Sequence, residues 1–370
     1  MNATSHTAAP ATSHTTSHTP AHTASHPGRR ATGTAARATL TLLSALALGL
    51  GALAAPASAD HPTPPYRPLA GVGSDTTQDV MNGLGEVAVD VSGNKLLGSW
   101  NATGTPTITT KDPALYPNCQ NIPRPNGTSP GVSRLVTDLN NPLPDCADYA
   151  RATYRPPAPS PQLTYIPFAK DALTYVTDLG STLPTNLTIA QLASIYRTCT
   201  FVDGGVTRTV SRALLPPADA GSFNSWLQFI GVTEQQIALA KANGCVHDVQ
   251  PNDGTAVLSG TEIMPFSVAQ WIGQGKGLPN VVNRRGETRL RSIASVLPTT
   301  GSGTTLALNV TFPFARDVYN VVATSRLGEA GISRAFVGAS SQVCLNIATI
   351  KNYGFGDLGA DAQPSSCGVY

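Results

Sequence analysis

Tyr165-Ile-Pro-Phe-Ala169 and Ile263-Met-Pro-Phe-Ser267 are near copies of one another. In each, proline fixes φ and drives the residue before it into extended backbone. The stretch between them is about 100 residues, one domain's worth. Two such segments suit a pair of crossings between lobes. Residues 167–266 are then an inserted lobe, and 60–166 with 267–370 form the other. The competing reading is that these are two unrelated strand ends.

Working outward, helix starts are signposted. Thr188-Ile-Ala-Gln191 and Thr233-Glu-Gln-Gln236 are capping boxes, and Ser267-Val-Ala-Gln270 opens a helix carrying Trp271 and Ile272. Short β-like runs alternate with these at Thr164–Phe168, Ala172–Val176 and Asp317–Ala323. This order predicts an α/β fold. Proline-rich stretches over 60–69 and 154–162 read as extended connections.

The N-terminal region reads as an export signal. Arg29, Arg30 and Arg37 precede an apolar run, Leu40 to Ala55, that ends in Ala57-Ser58-Ala59. Small residues in that pattern mark signal-peptidase cleavage, and the run is too short for a good membrane anchor. Residues 1–59 are therefore expected to be a low-complexity extension plus signal peptide, with a mature N-terminus at Asp60. The general secretory route fits better than the twin-arginine route. Loss of three arginines takes the formal net charge from +2 to −1. That balance argues against a nucleic-acid or membrane-surface binder. The chain is expected to be a monomer.

All six cysteines, Cys119, Cys146, Cys199, Cys245, Cys344 and Cys367, lie beyond the leader. An even count in an exported chain predicts disulfides, and six cysteines allow 15 connectivities. Neighbour pairing (119–146, 199–245, 344–367) is the simplest, because each pair closes a local loop. With His61 and His247 the only histidines beyond the leader, a metal site is poorly supported. No cofactor is expected. Neither histidine adjoins a nucleophile motif, and there is no G-x-S-x-G or H-E-x-x-H. The chain is therefore read as not an enzyme.

Three polar, glycine-bearing loops each open a helix: Gly71-Val-Gly73-Ser74-Asp75-Thr76-Thr77, Asn126-Gly127-Thr128-Ser129-Pro130-Gly131 and Ala218-Asp219-Ala220-Gly221-Ser222. They are called loops 1, 2 and 3 below. A helix N-terminus offers unpaired N–H groups and partial positive charge, so hydroxyls beside it make an oxyanion site without a lysine. The plainer reading is that these residues are ordinary N-caps.

In their order, several segments resemble the phosphate-binding-protein-like family of exported solute receptors, and the later ones, over 252–255, 265–271 and 316–322, look like a Gram-positive branch of it. The carriers are Gly73-Ser-Asp-Thr-Thr-Gln78, Arg124-Pro-Asn-Gly-Thr-Ser-Pro-Gly131, Asp148-Tyr-Ala-Arg151, Ile166-Pro-Phe-Ala-Lys-Asp171 and Leu187-Thr-Ile-Ala-Gln-Leu192. Asn252-Asp-Gly-Thr255, Pro265-Phe-Ser-Val-Ala-Gln-Trp271 and Arg316-Asp-Val-Tyr-Asn-Val-Val322 continue the series through most of 70–370. The resemblance implies the type II periplasmic-binding fold, two α/β lobes around a central cleft. It further implies a secreted protein of the cell envelope that holds a small oxyanion or other small polar solute and delivers it to a membrane transporter. Loops 1 and 2 match the family, so the resemblance points to Ser74, Thr76, Thr128 and Ser129 as ligand-binding residues. Loop 3 departs from it at Asp219 and Phe223, and Asp75, Gly221 and Ser222 are added from the loop reading itself. Arg151 would supply a cation or pair with Asp148. Asp75 stands where phosphate binders usually carry a hydroxyl, as a contact for a protonated ligand or as a helix cap. A ligand-free envelope interaction protein of the same fold is the rival reading; a secreted hydrolase is a more distant one.

Overall fold

In a computed structural model, Asp60, residues 65–358 and residues 366–370 are described; the expected signal segment lies outside them. Nine strands of the described residues form one sheet. The path runs β6 (Val246–Asp248), β5 (Arg212–Leu215), β7 (Glu262–Ser267), β4 (Leu163–Asp178), β9 (Ala315–Ala323), β3 (Tyr149–Ala152), β1 (Leu69–Gly73) and β2 (Leu97–Ser99). A further strand, β8 (Thr288–Leu290), pairs with the end of β4 off this path. β1, β2 and β3 are parallel to one another, as are β5, β6 and β7. β4 and β9 are antiparallel between the two parallel groups.

β4 is the spine of this arrangement. Its residues 163–172 pair with β9 and its residues 173–176 pair with β7. The sequence reading splits it into two short strands because Lys170 and Asp171 interrupt the apolar pattern. The structure shows a single strand of 16 residues, buried along almost its whole length. Both charges are paired. Lys170 meets Asp317 at 2.8 Å, and Asp171 meets Arg316 at 2.9 Å. A buried charge is tolerated only with such a partner. Here the partners come from β9, more than a hundred residues away, which no local pattern reveals.

The helices on the faces are α1 (Gln78–Val87), α2 (Thr128–Leu139), α3 (Ile189–Thr198), α4 (Gly221–Ile230), α5 (Glu234–Ala242) and α6 (Val268–Gly275). Thr188 and Thr233 make both halves of their capping boxes, and Ser267 accepts from Gln270 N. α2 begins at Thr128, so the second half of loop 2 is its first turn. One apolar cluster takes in Leu69 and Val80, Phe168, Ala193 and Trp226, and Val322, so the core is shared across the sheet. Fully burying a large side chain of this kind contributes about 1.5–3 kcal/mol.

The cysteines pair as neighbours: Cys119–Cys146, Cys199–Cys245 and Cys344–Cys367. Titration of the denatured, unreduced protein should detect essentially no thiol, and removing one bridge should cost about 2–5 kcal/mol. Several reactive thiols would refute the pairing. Among the described residues, no helix is long and apolar enough to cross a membrane.

Candidate functional site

Each of the three loops leaves the end of a strand or a turn and enters a helix, and all three meet. Gly73 has φ +118°, and a Cβ there would lie 2.7 Å from the Arg151 carbonyl oxygen. Only glycine fits such a contact at positive φ. Gly127 N donates to Gly73 O at 3.3 Å, which joins loop 2 to loop 1. Ser129 N donates to Asp219 O at 3.1 Å, which joins loop 2 to loop 3. Gly127 is again positive in φ, and a Cβ on it would sit 2.6 Å from Asp219 O.

The plain capping explanation does not hold for these loops. The helices they feed, α1, α2 and α4, carry no side-chain cap hydrogen bond at all. α3, α5 and α6, which no such loop feeds, are all capped by Thr or Ser. The hydroxyls beside the uncapped ends are turned to other uses. Thr128 Oγ1 accepts from Thr153 N at 3.2 Å. A Cβ on Gly221 would lie 2.5 Å from both Thr128 Oγ1 and Thr153 Oγ1, so the two hydroxyls press on the first turn of α4. Ser222 Oγ and Thr153 Oγ1 are buried with no hydrogen-bond partner among the described residues. An unsatisfied buried hydroxyl costs about 1–3 kcal/mol, and two beside one uncapped helix call for an explanation.

Asp75 is not a helix cap. Its carboxylate accepts from Asn252 Nδ2 at 2.9 Å and from Gln250 Nε2 at 3.4 Å, and it pairs with Arg284 at 3.1 Å. Asn252 Nδ2 also lies 3.0 Å from Thr76 Oγ1, and Gln270 Nε2 donates to Thr76 O at 2.7 Å. Loop 1 is thus tied to the segment 250–284 through side chains. Asp75's charge in turn holds the Arg284 guanidinium above its ordinary range.

Arg151 is fully buried, and its guanidinium donates to Gly71 O, Gly73 O and Ser74 O and to Ser99 Oγ. It braces the end of β1 from behind. Burial lowers its pKa to about 10, still far above neutral pH. The alternative pairing with Asp148 does not occur: Asp148 accepts from Ala70 N at 2.7 Å and forms ion pairs with Lys111 and Arg326. Ser129 contributes its backbone N–H to loop 3, while its side chain is exposed. Ser74, Thr76, Thr128, Gly221 and Ser222 are buried at the junction.

Sequence reading missed Thr153, Gln250, Asn252 and Arg284 as site residues. Asn252 carried a signal, since its segment is among those that resemble the receptor family, and it adopts φ +56°. Arg284 carried none. A cavity of about 280 Å³ beside Asp75 is lined by Gln78, Asp79, Asn101, Gln250, Asp253 and Arg284. Asp79, in the first turn of α1, is raised to about 6, first by burial and then by the charge of Asp75.

No protein-family model matches the chain, and no curated protein matches it. Solved structures do. A protein of Clostridium perfringens, described as a phosphate ABC transporter substrate-binding protein with bound phosphate, superposes with a TM-score of 0.50. The identity is 13%, over 78% of this chain and 98% of that one. The fold is therefore that of the type II periplasmic-binding proteins. An ABC-type phosphate transport receptor of Vibrio cholerae shares 16% identity over 78% of this chain and 99% of its own, with a TM-score of 0.45. PstS of Borrelia burgdorferi shares 15% over 82% and 100%, with a TM-score of 0.41.

Proposed function

We propose that the protein is an exported solute receptor, not an enzyme, that holds a small oxyanion or similarly polar solute where the three loops meet. The observation that carries this reading is that α1, α2 and α4 converge with no side-chain cap, beside two buried hydroxyls that lack partners. First-turn N–H groups of those helices would supply the geometry and the partial positive charge. Thr128, Thr153 and Ser222 would add hydrogen bonds, and Ser74 and Thr76 would shape loop 1. Asp75, already balanced by Arg284, admits a ligand that can donate a proton and repels one that is fully ionised. Arg151 acts by bracing β1, not as a cation facing the ligand. The lobes are 60–166 with 267–370, and 167–266, and the sheet continues across them through β4. Secretion into a Gram-positive-type envelope and delivery to a membrane transporter complete the proposal.

Thr128→Val keeps the shape of the side chain and removes the hydroxyl. Calorimetry against phosphate, sulfate and small organic anions at two pH values should show it binding about tenfold to a hundredfold more weakly than the parent. A parent protein that binds none of these solutes would favour the reading as a ligand-free interaction protein.

A further inference from the structure

A second cavity, about 530 Å³, contains no residue of loops 1, 2 or 3, although Thr153, placed at their junction above, also lines it. Thr153, Arg155, Lys170, Phe229, Phe312 and Tyr319 are among its lining residues. That size lies within the range of small-molecule sites. Its floor is the antiparallel pair β4 and β9, where Lys170 and Asp317 stand directly opposite and form their ion pair at 2.8 Å. Arg316, also in the lining, is matched by Asp171 and donates to Gly221 O at 3.4 Å. These pairs balance one another. Arg155 is left as the surplus charge: it is exposed and has no ion-pair partner among the described residues. It lies close enough to Tyr319 to oppose the rise that burial imposes on that phenol. One wall is apolar and aromatic. Phe229 stacks on Phe314 at 4.7 Å, and Phe312 meets Phe314 edge-on.

The lining therefore combines one unbalanced positive charge with an aromatic face. A small cation would meet like charge here. An inorganic anion would satisfy Arg155 and leave the half-buried ring of Phe229 in water, while Phe312 is already buried behind it. An ion with a single negative head and an apolar body uses both features, since the body removes aromatic surface from water while the head is paired. We propose that this cavity is a second binding site, for a small organic monoanion with an aromatic or aliphatic body. Its head group meets Arg155 and its body lies against Phe229 and Phe312. The inference does not depend on what the three loops hold.

Calorimetry on the full chain with benzoate, phenylacetate, hexanoate and inorganic phosphate tests it. The organic carboxylates should bind, and saturating phosphate should not displace them. Arg155→Ala, at an exposed position, should fold normally and weaken carboxylate binding about tenfold or more. Gln228→Trp places a large ring at an exposed position of the lining and should block binding. Thr128→Val should leave carboxylate affinity unchanged, which separates this site from the loop junction. The proposal is overturned if no carboxylate binds below about 10 mM. It is equally overturned if binding survives Arg155→Ala and is lost in Thr128→Val.

Discussion

Arg284→Met should destabilise the folded protein by about 3–5 kcal/mol, the usual result of removing one partner from a buried ion pair. The Asp75 side chain is only 1% exposed, and Arg284 is the cation that meets it, at 3.1 Å. Asn252 and Gln250 would still donate to the carboxylate, but neither neutralises it. Asp79 sits close enough for its own pKa to be raised by Asp75 and lowered by Arg284. Without the guanidinium, two buried carboxylates would face each other with weakened compensation. Denaturant melts of Arg284→Met, Asp75→Asn and the double variant measure this directly. Most of the loss should return in the double variant, because no uncompensated charge remains. A neutral effect of Arg284→Met would show that the pair does not hold loop 1 to the segment 250–284.

Asp79→Asn should do the reverse and stabilise the protein by roughly 3 kcal/mol at pH 8. Burial, reinforced by Asp75, raises the Asp79 carboxyl from 3.8 to about 6. Between those values the folded state keeps a proton that the unfolded chain has released. Stability therefore falls as pH rises through this window, and the deficit persists above it. Asparagine has no proton to lose, so the variant escapes the deficit. Its advantage should shrink to about half by pH 5 and vanish near pH 3. Melting temperatures of both proteins across that range provide the check; an advantage independent of pH would mean that the cause is not ionisation. The position also explains why the carboxylate is tolerated at all. It lies in the first turn of α1, where the helix dipole favours negative charge.

What the sequence revealed was local. The caps of α3, α5 and α6 depend on residues three apart, so Thr188, Thr233 and Ser267 could be read directly. Glycine and hydroxyl residues marked the three loops for the same reason: positive φ and close backbone approach leave few alternatives to glycine at Gly73 and Gly127. What stayed hidden depends on distant partners. β4 looked broken because Lys170 and Asp171 find their counterions on β9. Arg151 looked like a ligand cation because its acceptors are mostly backbone carbonyls of β1 and loop 1, and backbone carries no sequence signature. Arg284 reaches Asp75 across 209 positions, and nothing in either neighbourhood announces the other.

The neighbour pairing of the cysteines has a consequence for how the chain survives proteolysis. Each bridge closes its loop within a separate stretch, 119–146, 199–245 and 344–367. A single cut anywhere in 147–198 would leave two pieces with no covalent link between them. They would stay together only through the shared sheet and core. Such a nicked protein would run as one species on a native column and as two on a denaturing gel, whether or not reductant was present.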